Sequence, residues 1–518
     1  MGNKINPEET QLMVSVRDVV GNVVSEDGAT YPVRYTYDSQ NRRTSLSTTR
    51  DGVTWDTTTW TYDAATGNCL SKTYADNSTV TYTYTPDNLP LRTTYASGRW
   101  KENVYDDRCD AGYAIAFSGG GTFVRSVTHD PYRREIVTDI TNAFGGVSYG
   151  LAYGHDALAR PVARNDDTFA YNTRGEVESA IVDGNAETHG YDFIGNSLLA
   201  TFNSVTNIYT ANSLNQYVSI LRASASTHEI SHDADGNMTN DGVFTYTYDS
   251  ASRLTTVSSN GIILVTNLYD CRGRRVRKIT QTATYTFFYD GWNLIYEHVA
   301  NTNGTVESFQ YFWGRDLSGS LQGAGGVGGL LYVKRSGTIY VPHADAMGNI
   351  LRYTDTAGNV VAAYTYDAFG KTISAIGSLA HLFRHRFSTK YYDVETGLYY
   401  FGYRFCSPSL KRWLNRDPIE EEGGVNLYGF CRNNAITSFD NDGRAYFAYR
   451  PLDNPVTLNT GIMGASSKFM QKRNWVIAHE QLIFEDGDSP VNIGYFNAPI
   501  GENNPRQDEF YFQTQMCQ

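Results

Sequence analysis

The chain has 518 residues, 41% of them hydrophobic, and a formal net charge of -12. That acidity argues against nucleic acid as the main partner of the whole chain, because phosphate binding needs a cationic field. With 39 Tyr against 14 Pro, abundant Thr, Gly and Asn, and no sustained 3.6-residue apolar period, the composition points away from a helical protein and towards large β-sheets.

The start, MGNKINPEETQLMVSV, has no apolar signal-peptide region and no cleavage pattern, and the chain contains no 18-residue apolar run. A chain without a Sec signal or membrane segment is therefore expected. Residues 1–30 carry one strand pattern, QLMVSVRD, and are expected to form an N-terminal edge segment. Six cysteines (Cys69, Cys109, Cys271, Cys406, Cys431, Cys517) show no CxxC pair and no histidine at ligand spacing. No metal and no cofactor are expected, and free buried thiols in a reducing compartment are preferred over disulfides.

From residue 31 the dominant signal is internal repetition. Tyr-Asp followed by a turn occurs at Tyr37-Asp38 (YTYDSQNRRTSL), Tyr62-Asp63, Tyr191-Asp192 (YDFIGNSL), Tyr248-Asp249 (YTYDSASRLTTV), Tyr269-Asp270, Tyr289-Asp290 and Tyr366-Asp367 (YTYDAFGKTI). Degenerate copies fill the gaps at 153–160, 171–176, 232–238 and 343–350. Each unit reads as strand, Asp-x-x-Gly-Asn or Asp-x-x-x-Arg turn, strand. The Asp accepts backbone N–H bonds in the turn, Gly or Asn takes the left-handed position, and the aromatic packs on neighbouring units. No unit buries its own face, so the units must stack.

This array resembles the YD repeats of RHS proteins. The resemblance implies an all-β fold in which hairpins wind into a large, hollow, cocoon-like β-sheet shell across residues 31–363. The resemblance as a whole covers roughly residues 30–444, and about 410 residues are short for a closed winding, so an incomplete shell, a truncated product or a shell-completing partner remain alternatives. Within the array, Arg272–Lys278 (RGRRVRK) is expected to be a solvated strand edge with gatekeeping cations rather than a nucleic-acid patch. Residues 313–329 (WGRDLSGSLQGAGGVGG) lack the GK[ST] ending of a phosphate-binding loop and are expected to be a permissive insert or tightly wound shell backbone.

Residues 364–444 sharpen the pattern. YTYDAFGK, then FRHRFSTKYYDVETGLYYFGYRFCSPSLKRWLNRDP, then GGVNLYGFCRNN resemble the RHS repeat-associated core of polymorphic toxins, Tc toxin C-components and teneurin-like shells. The resemblance implies a segment that seals one end of the shell and, in toxin-type members, an aspartyl-type intramolecular cut that leaves the C-terminal polypeptide inside as cargo. Such chemistry needs two carboxylates in a partly desolvated site, one protonated and one ionised. Asp417 matches the family's acid, with Arg416 beside it as the cation expected to keep it ionised. For the second acid Glu420, Glu421, Glu422, Asp440 and Asp442 remain open, and on residues alone Asp417 reads as a turn cap before Pro418. The chain departs from the pattern at Asn433-Asn434-Ala435, where Asn-Asn-Pro is expected, and at Asp440-Asn441-Asp442-Gly443, where Asp-Pro-x-Gly is expected. Matching the second motif places the cut between Arg444 and Ala445.

Residues 445–518 contain no YD unit and are expected to form a small α+β or β tail with a hairpin about Asp486-Gly487. His479 and Glu480, with Glu485 and Asp486, are the candidates there for a small hydrolytic site. No HExxH motif or nucleophile elbow supports them. The first functional expectation is a shell enclosing its own C-terminal polypeptide, exported by a non-Sec route to the exterior or cell surface after a cytoplasmic stage. It would work with a secretion-system or shell-completing partner and an immunity protein. The alternative is a non-catalytic cell-contact scaffold, and the cleavage state separates the two.

Overall fold

The computed structural model describes residues 13–28, 32–49, 53–106, 109–117, 121–133, 136–222, 226–270 and 272–444. The predicted tail hairpin, together with Ala445, His479, Glu480, Glu485 and Asp486, lies outside the described residues. Every paired strand is antiparallel, and the only helical elements among the described residues are three short 3-10 turns.

Contacts divide the chain into two units. In the first, residues up to Glu102, strands run as a meander from Met13–Arg17 and Val23–Gly28 through Trp55–Tyr62, Cys69–Thr73 and Thr79–Tyr84 to Pro90–Thr94. Side chains alternate across each strand, so Val80 and Tyr82 are buried and join Trp60, Cys69 and Tyr74 in one cluster, while the opposite face carries threonine. Within the expected edge segment at 1–30, the described residues 13–28 form a strand–turn–strand unit of the same design as the repeats. Asp18 accepts the N–H groups of Val20 and Asn22 at 3.0 and 2.9 Å, and Gly21 has φ +93°.

The second unit contains a meander from Cys109–Ala116 to Ser226–Glu229, a fourteen-stranded sheet from Ser231–His232 to Thr372–Ile376, and a four-stranded sheet formed by Tyr391–Asp393, Leu398–Tyr400, Phe405–Ser407 and Arg412–Trp413. Exposed faces of both units are laced by cross-strand hydroxyl pairs, such as Thr61–Ser71 and Thr247–Thr256, each at 2.6 Å. These pairs explain the choice of threonine on the wet face.

The YD dipeptide has a structural reason in each half. The Asp shapes its own turn: Asp192 Oδ1 accepts the N–H groups of Ile194 and Asn196 at 2.9 and 2.8 Å, and Oδ2 accepts Asn196 Nδ2 at 2.8 Å. Asp38 does the same with Gln40 and Arg42, Arg42 Nε closing the turn at 2.6 Å. The Tyr secures the preceding turn, because its hydroxyl donates to the carbonyl of the residue that leaves it. Tyr37 reaches Val23, Tyr191 reaches Val177, Tyr248 reaches Met238, Tyr289 reaches Arg275 and Tyr366 reaches Ile350, at 2.7–2.9 Å. A register shift sits at the same tyrosines, between Thr36 and Tyr37, Thr247 and Tyr248, and Thr365 and Tyr366. Such bulges bend and twist the strand pair, so the feature that marks the repeat in sequence also curves the sheet. Tyr366→Phe is expected to lower stability by about 1 kcal/mol by orphaning the Ile350 carbonyl, measured as a lower urea midpoint with unchanged far-ultraviolet dichroism.

Candidate functional site

The core segment lies along the turns of the second unit and binds them at one repeated position. In each case a core side chain donates to the carbonyl of the turn's left-handed residue. Asn434 Nδ2 reaches Gly175 and Asn433 Nδ2 reaches Gly195, both at 2.7 Å. Arg412 reaches Asn215, Tyr428 Oη reaches Gly236 at 2.8 Å, and Asn415 Nδ2 reaches Ser252 at 3.1 Å. Thr389 Oγ1 reaches Gly348 at 2.6 Å and Tyr399 Oη reaches Gly370 at 3.1 Å. All of these turn residues have positive φ, which points their carbonyls out of the ladder and leaves them to be satisfied from outside. The core thus reads the repeat through its backbone. Gly236 shows how tight the fit is: a Cβ there would lie 2.6 Å from both Arg416 Cδ and Tyr428 Oη.

A buried ion network joins the same partners. Arg275 Nη1 meets Asp393 Oδ2 at 2.6 Å, and Lys278 Nζ meets Asp393 Oδ1 at 3.1 Å and Glu395 Oε2 at 3.0 Å. Burial pulls the Asp393 carboxyl up, but the two cations outweigh it and hold it below the usual carboxylate range. The expectation of solvated gatekeepers at Arg272–Lys278 is corrected for two of its cations, because Arg275 is 1% and Lys278 0% exposed, whereas Arg272 is exposed. The strand is covered by the core hairpin, and its cations answer that hairpin's acids.

Of the residues singled out for chemistry, the structure brings Asp417 and Asp440 together around Arg404. Arg404 Nη2 lies 2.9 Å from Asp417 Oδ2 and 3.9 Å from Asp440 Oδ2, and all three residues are buried. The guanidinium also donates to the Gly443 carbonyl through Nε and to the Leu427 carbonyl at 3.2 Å, and it stacks 4.2 Å over the Trp413 ring. Trp413, Phe401 and Phe430 meet edge to face at 5.0–5.5 Å, and all three rings are buried. The capping role of Asp417 is also present: its Oδ1 accepts the Ile419 N–H at 3.0 Å. Asp440 Oδ1 accepts the N–H groups of Asp442 and Gly443 at 3.0 and 2.7 Å. Burial pushes the Asp440 carboxyl up to about 6, against the pull of Arg404 and the Gly443 N–H.

The remaining candidates are placed elsewhere. Arg416 is exposed and packs its methylenes over Gly236, so the cation against Asp417 is Arg404. Glu420, Glu421 and Glu422 are exposed in a 3-10 turn. Asp442 engages Arg444, whose Nη2 lies 2.6 Å from its Oδ2. Nothing local in the sequence marks Arg404 as a site residue, since its acid partners lie 13 and 36 residues further along the chain. The cysteines described with their side chains, Cys69, Cys406 and Cys431, are buried and in no disulfide. Among the described residues no group of three or more His, Cys, Asp or Glu could hold a metal, and no helix is long and apolar enough to cross a membrane.

Antiparallel hairpins with one turn design, gripped along their turns by a single core segment, point to a YD-shell class of protein. The chain belongs to the teneurin YD-shell family, whose description matches residues 156–436, more than half of its length. It is similar to the tRNA nuclease WapA of Bacillus subtilis (strain 168), at 32% identity over 274 residues, which is 50% of this chain and 11% of that protein. It is also similar to double-stranded DNA deaminase toxin A of Burkholderia cenocepacia (strain H111), at 32% identity over 214 residues, 36% of this chain and 14% of that protein. The fold matches that of a TcdB2-TccC3-Cdc42 crystal structure with a TM-score of 0.55 and 18% identity, covering 85% of this chain and 25% of that one. The chain therefore spans only a small part of the curated relatives it matches.

Proposed function

We propose that this chain is the shell and processing core of a toxin-type RHS protein, and that its core cuts the chain between Arg444 and Ala445. The observation that carries the reading is Arg404 held between Asp417 and Asp440, with its Nε on the carbonyl of Gly443, one residue before the cut. Asp417, in its ion pair, is the base: it takes a proton from water as the oxygen attacks the Arg444 carbonyl carbon. Asp440, in its protonated form, is the acid, and its proton goes to the amide nitrogen of Ala445 as the C–N bond breaks. Arg404 keeps the two carboxyl groups unlike by pairing more closely with one of them.

The cargo is the chain's own segment from Ala445 onward, released into a shell that excludes outside proteases. A partner chain, or further length of this one, would complete that shell. Export from the cell and an immunity partner follow from the same reading.

Asp440 sets the pH dependence. It works as an acid only while protonated, so cleavage is expected to be fast below about pH 6 and to fall as pH rises through that value. Because its folded pKa is raised from 3.8, its contribution to stability is full below that value and is lost as pH rises to about 6. Asp440→Asn is expected to lower cleavage by at least about 100-fold while leaving the fold intact, since an amide oxygen still accepts the Asp442 and Gly443 N–H groups. Time courses from pH 5 to 8, followed by gel and N-terminal sequencing, test this. Cleavage that is independent of pH, or retained in Asp440→Asn, would reject the role.

A further inference from the structure

The glycine-rich loop and Lys390 are the two conspicuous features near the site that the chemistry above leaves unused. Asp316 shapes the loop: its Oδ2 accepts the N–H groups of Ala324 and Gly326 at 2.8 and 3.0 Å. The turn so formed meets residues 439–441 at several points. Ala324 and Val327 pack on Phe439. Asn441 Nδ2 donates to the Gly323 carbonyl at 2.9 Å. Lys390 Nζ, buried beneath them, donates to the carbonyls of Gly325 at 2.8 Å and Asn441 at 2.6 Å. The approach is so close that a Cβ on Gly325 would lie 1.7 Å from the Asn441 oxygen.

We propose that loop 323–327 and Lys390 form a cradle that grips Asn441 and presents the segment Asp440–Arg444 to the acid pair, making Lys390 a positioning residue for self-cleavage. This rests on the cleavage reading above. It also accounts for Asn441 standing where the family pattern has proline. Proline stiffens the chain through its ring, whereas here the side-chain amide ties the segment to Gly323, a bond proline cannot make.

Lys390 also acts on Asp440 through charge. It faces Asp440, Asp442 and Asp316, with His385 and the Phe401 ring beside it, and burial draws its ammonium down to about 8 against the pull of those acids. Asp440 in turn faces Arg404, Asp442 and the thiols of Cys406 and Cys431. Removing the ammonium leaves Asp440 harder to ionise. The alkaline limb of the cleavage profile is then expected to move up by about one pH unit in Lys390→Met. Loss of packing alone would slow the reaction at every pH without moving the limb.

Hydrogen exchange on the full chain tests the cradle independently of cleavage. In Lys390→Met and Gly325→Ala, peptides covering 439–444 are expected to exchange about tenfold faster, with the rest of the second unit unchanged. Asn441→Ala, which removes one exposed hydrogen bond, is expected to give about a threefold local increase and decides the question if the other two variants fold poorly. Unchanged exchange at 439–444 overturns the cradle. A wild-type chain that never cleaves overturns the cleavage reading and Lys390's positioning role in it, while the exchange data still decide whether the loop grips the segment.

Discussion

Arg404→Met is expected to cost about 3–5 kcal/mol, because it leaves the Asp417 carboxylate buried without its cation. The loss is larger than for an ordinary ion pair, since the same guanidinium bonds the carbonyls of Gly443 and Leu427 and lies on the Trp413 ring. Arg404→Lys is expected to recover little of it, as an ammonium cannot serve three oxygens in a plane and stack on an indole at once. Tryptophan fluorescence during urea unfolding measures the effect. A loss below about 1 kcal/mol, the range of exposed pairs, would show that the arginine is not holding the core. The same variant is expected to abolish cleavage, because the two carboxyl groups lose the cation that distinguishes them.

Asp393→Asn is the second large effect, and it acts where the core hairpin meets the strand beneath it. It leaves Arg275 and Lys278, both almost fully buried, without a shared anion, at a cost of about 3–5 kcal/mol near neutral pH. The rings of Phe287, Tyr391, Tyr400 and Phe405 lie within 4.7–5.5 Å of the Arg275 guanidinium and offset part of that loss through cation–π attraction. The sign with pH follows from the lowered carboxyl. Its stabilisation is present above 3.8 and lost as pH falls through the still lower folded value, so wild type and variant are expected to converge on acidification. A gap that does not narrow at all as pH falls below 3.8 would contradict this. Unlike Arg404→Met, this variant is expected to cleave at near wild-type rate wherever it remains folded, which separates anchoring of the core from its chemistry.

Much of the fold is legible in the sequence because the repeat is local. An Asp that bonds residues two and four positions on, such as Asp38 or Asp192, writes its turn into five consecutive residues. The role of the preceding Tyr is less legible, since its hydroxyl partner lies in the previous unit, as with Tyr248 and Met238. The site was half legible. Asp417 stands in a recognisable motif, and Asp440 was one of five acids left open. The choice between them is made by burial around Arg404, which lies on Trp413, a ring that Phe401 and Phe430 pack against from separate parts of the core. Arg275 and Lys278 misled for the converse reason: a run of cations reads as solvated until the acids of the covering hairpin, Asp393 and Glu395, are in place. Arg416 misled by adjacency: it is exposed and packs over Gly236, while its neighbour Asp417 is buried against Arg404.

The central claim is that this shell cuts its own chain at the core. Intact-mass analysis of freshly purified protein after denaturation tests it most directly, with wild type and Asp417→Asn run side by side. The account predicts two polypeptides from wild type, the second beginning at Ala445, and a single chain of 57.8 kDa from Asp417→Asn. A single 57.8 kDa chain from both proteins, unchanged after incubation at pH 5–6, would contradict it.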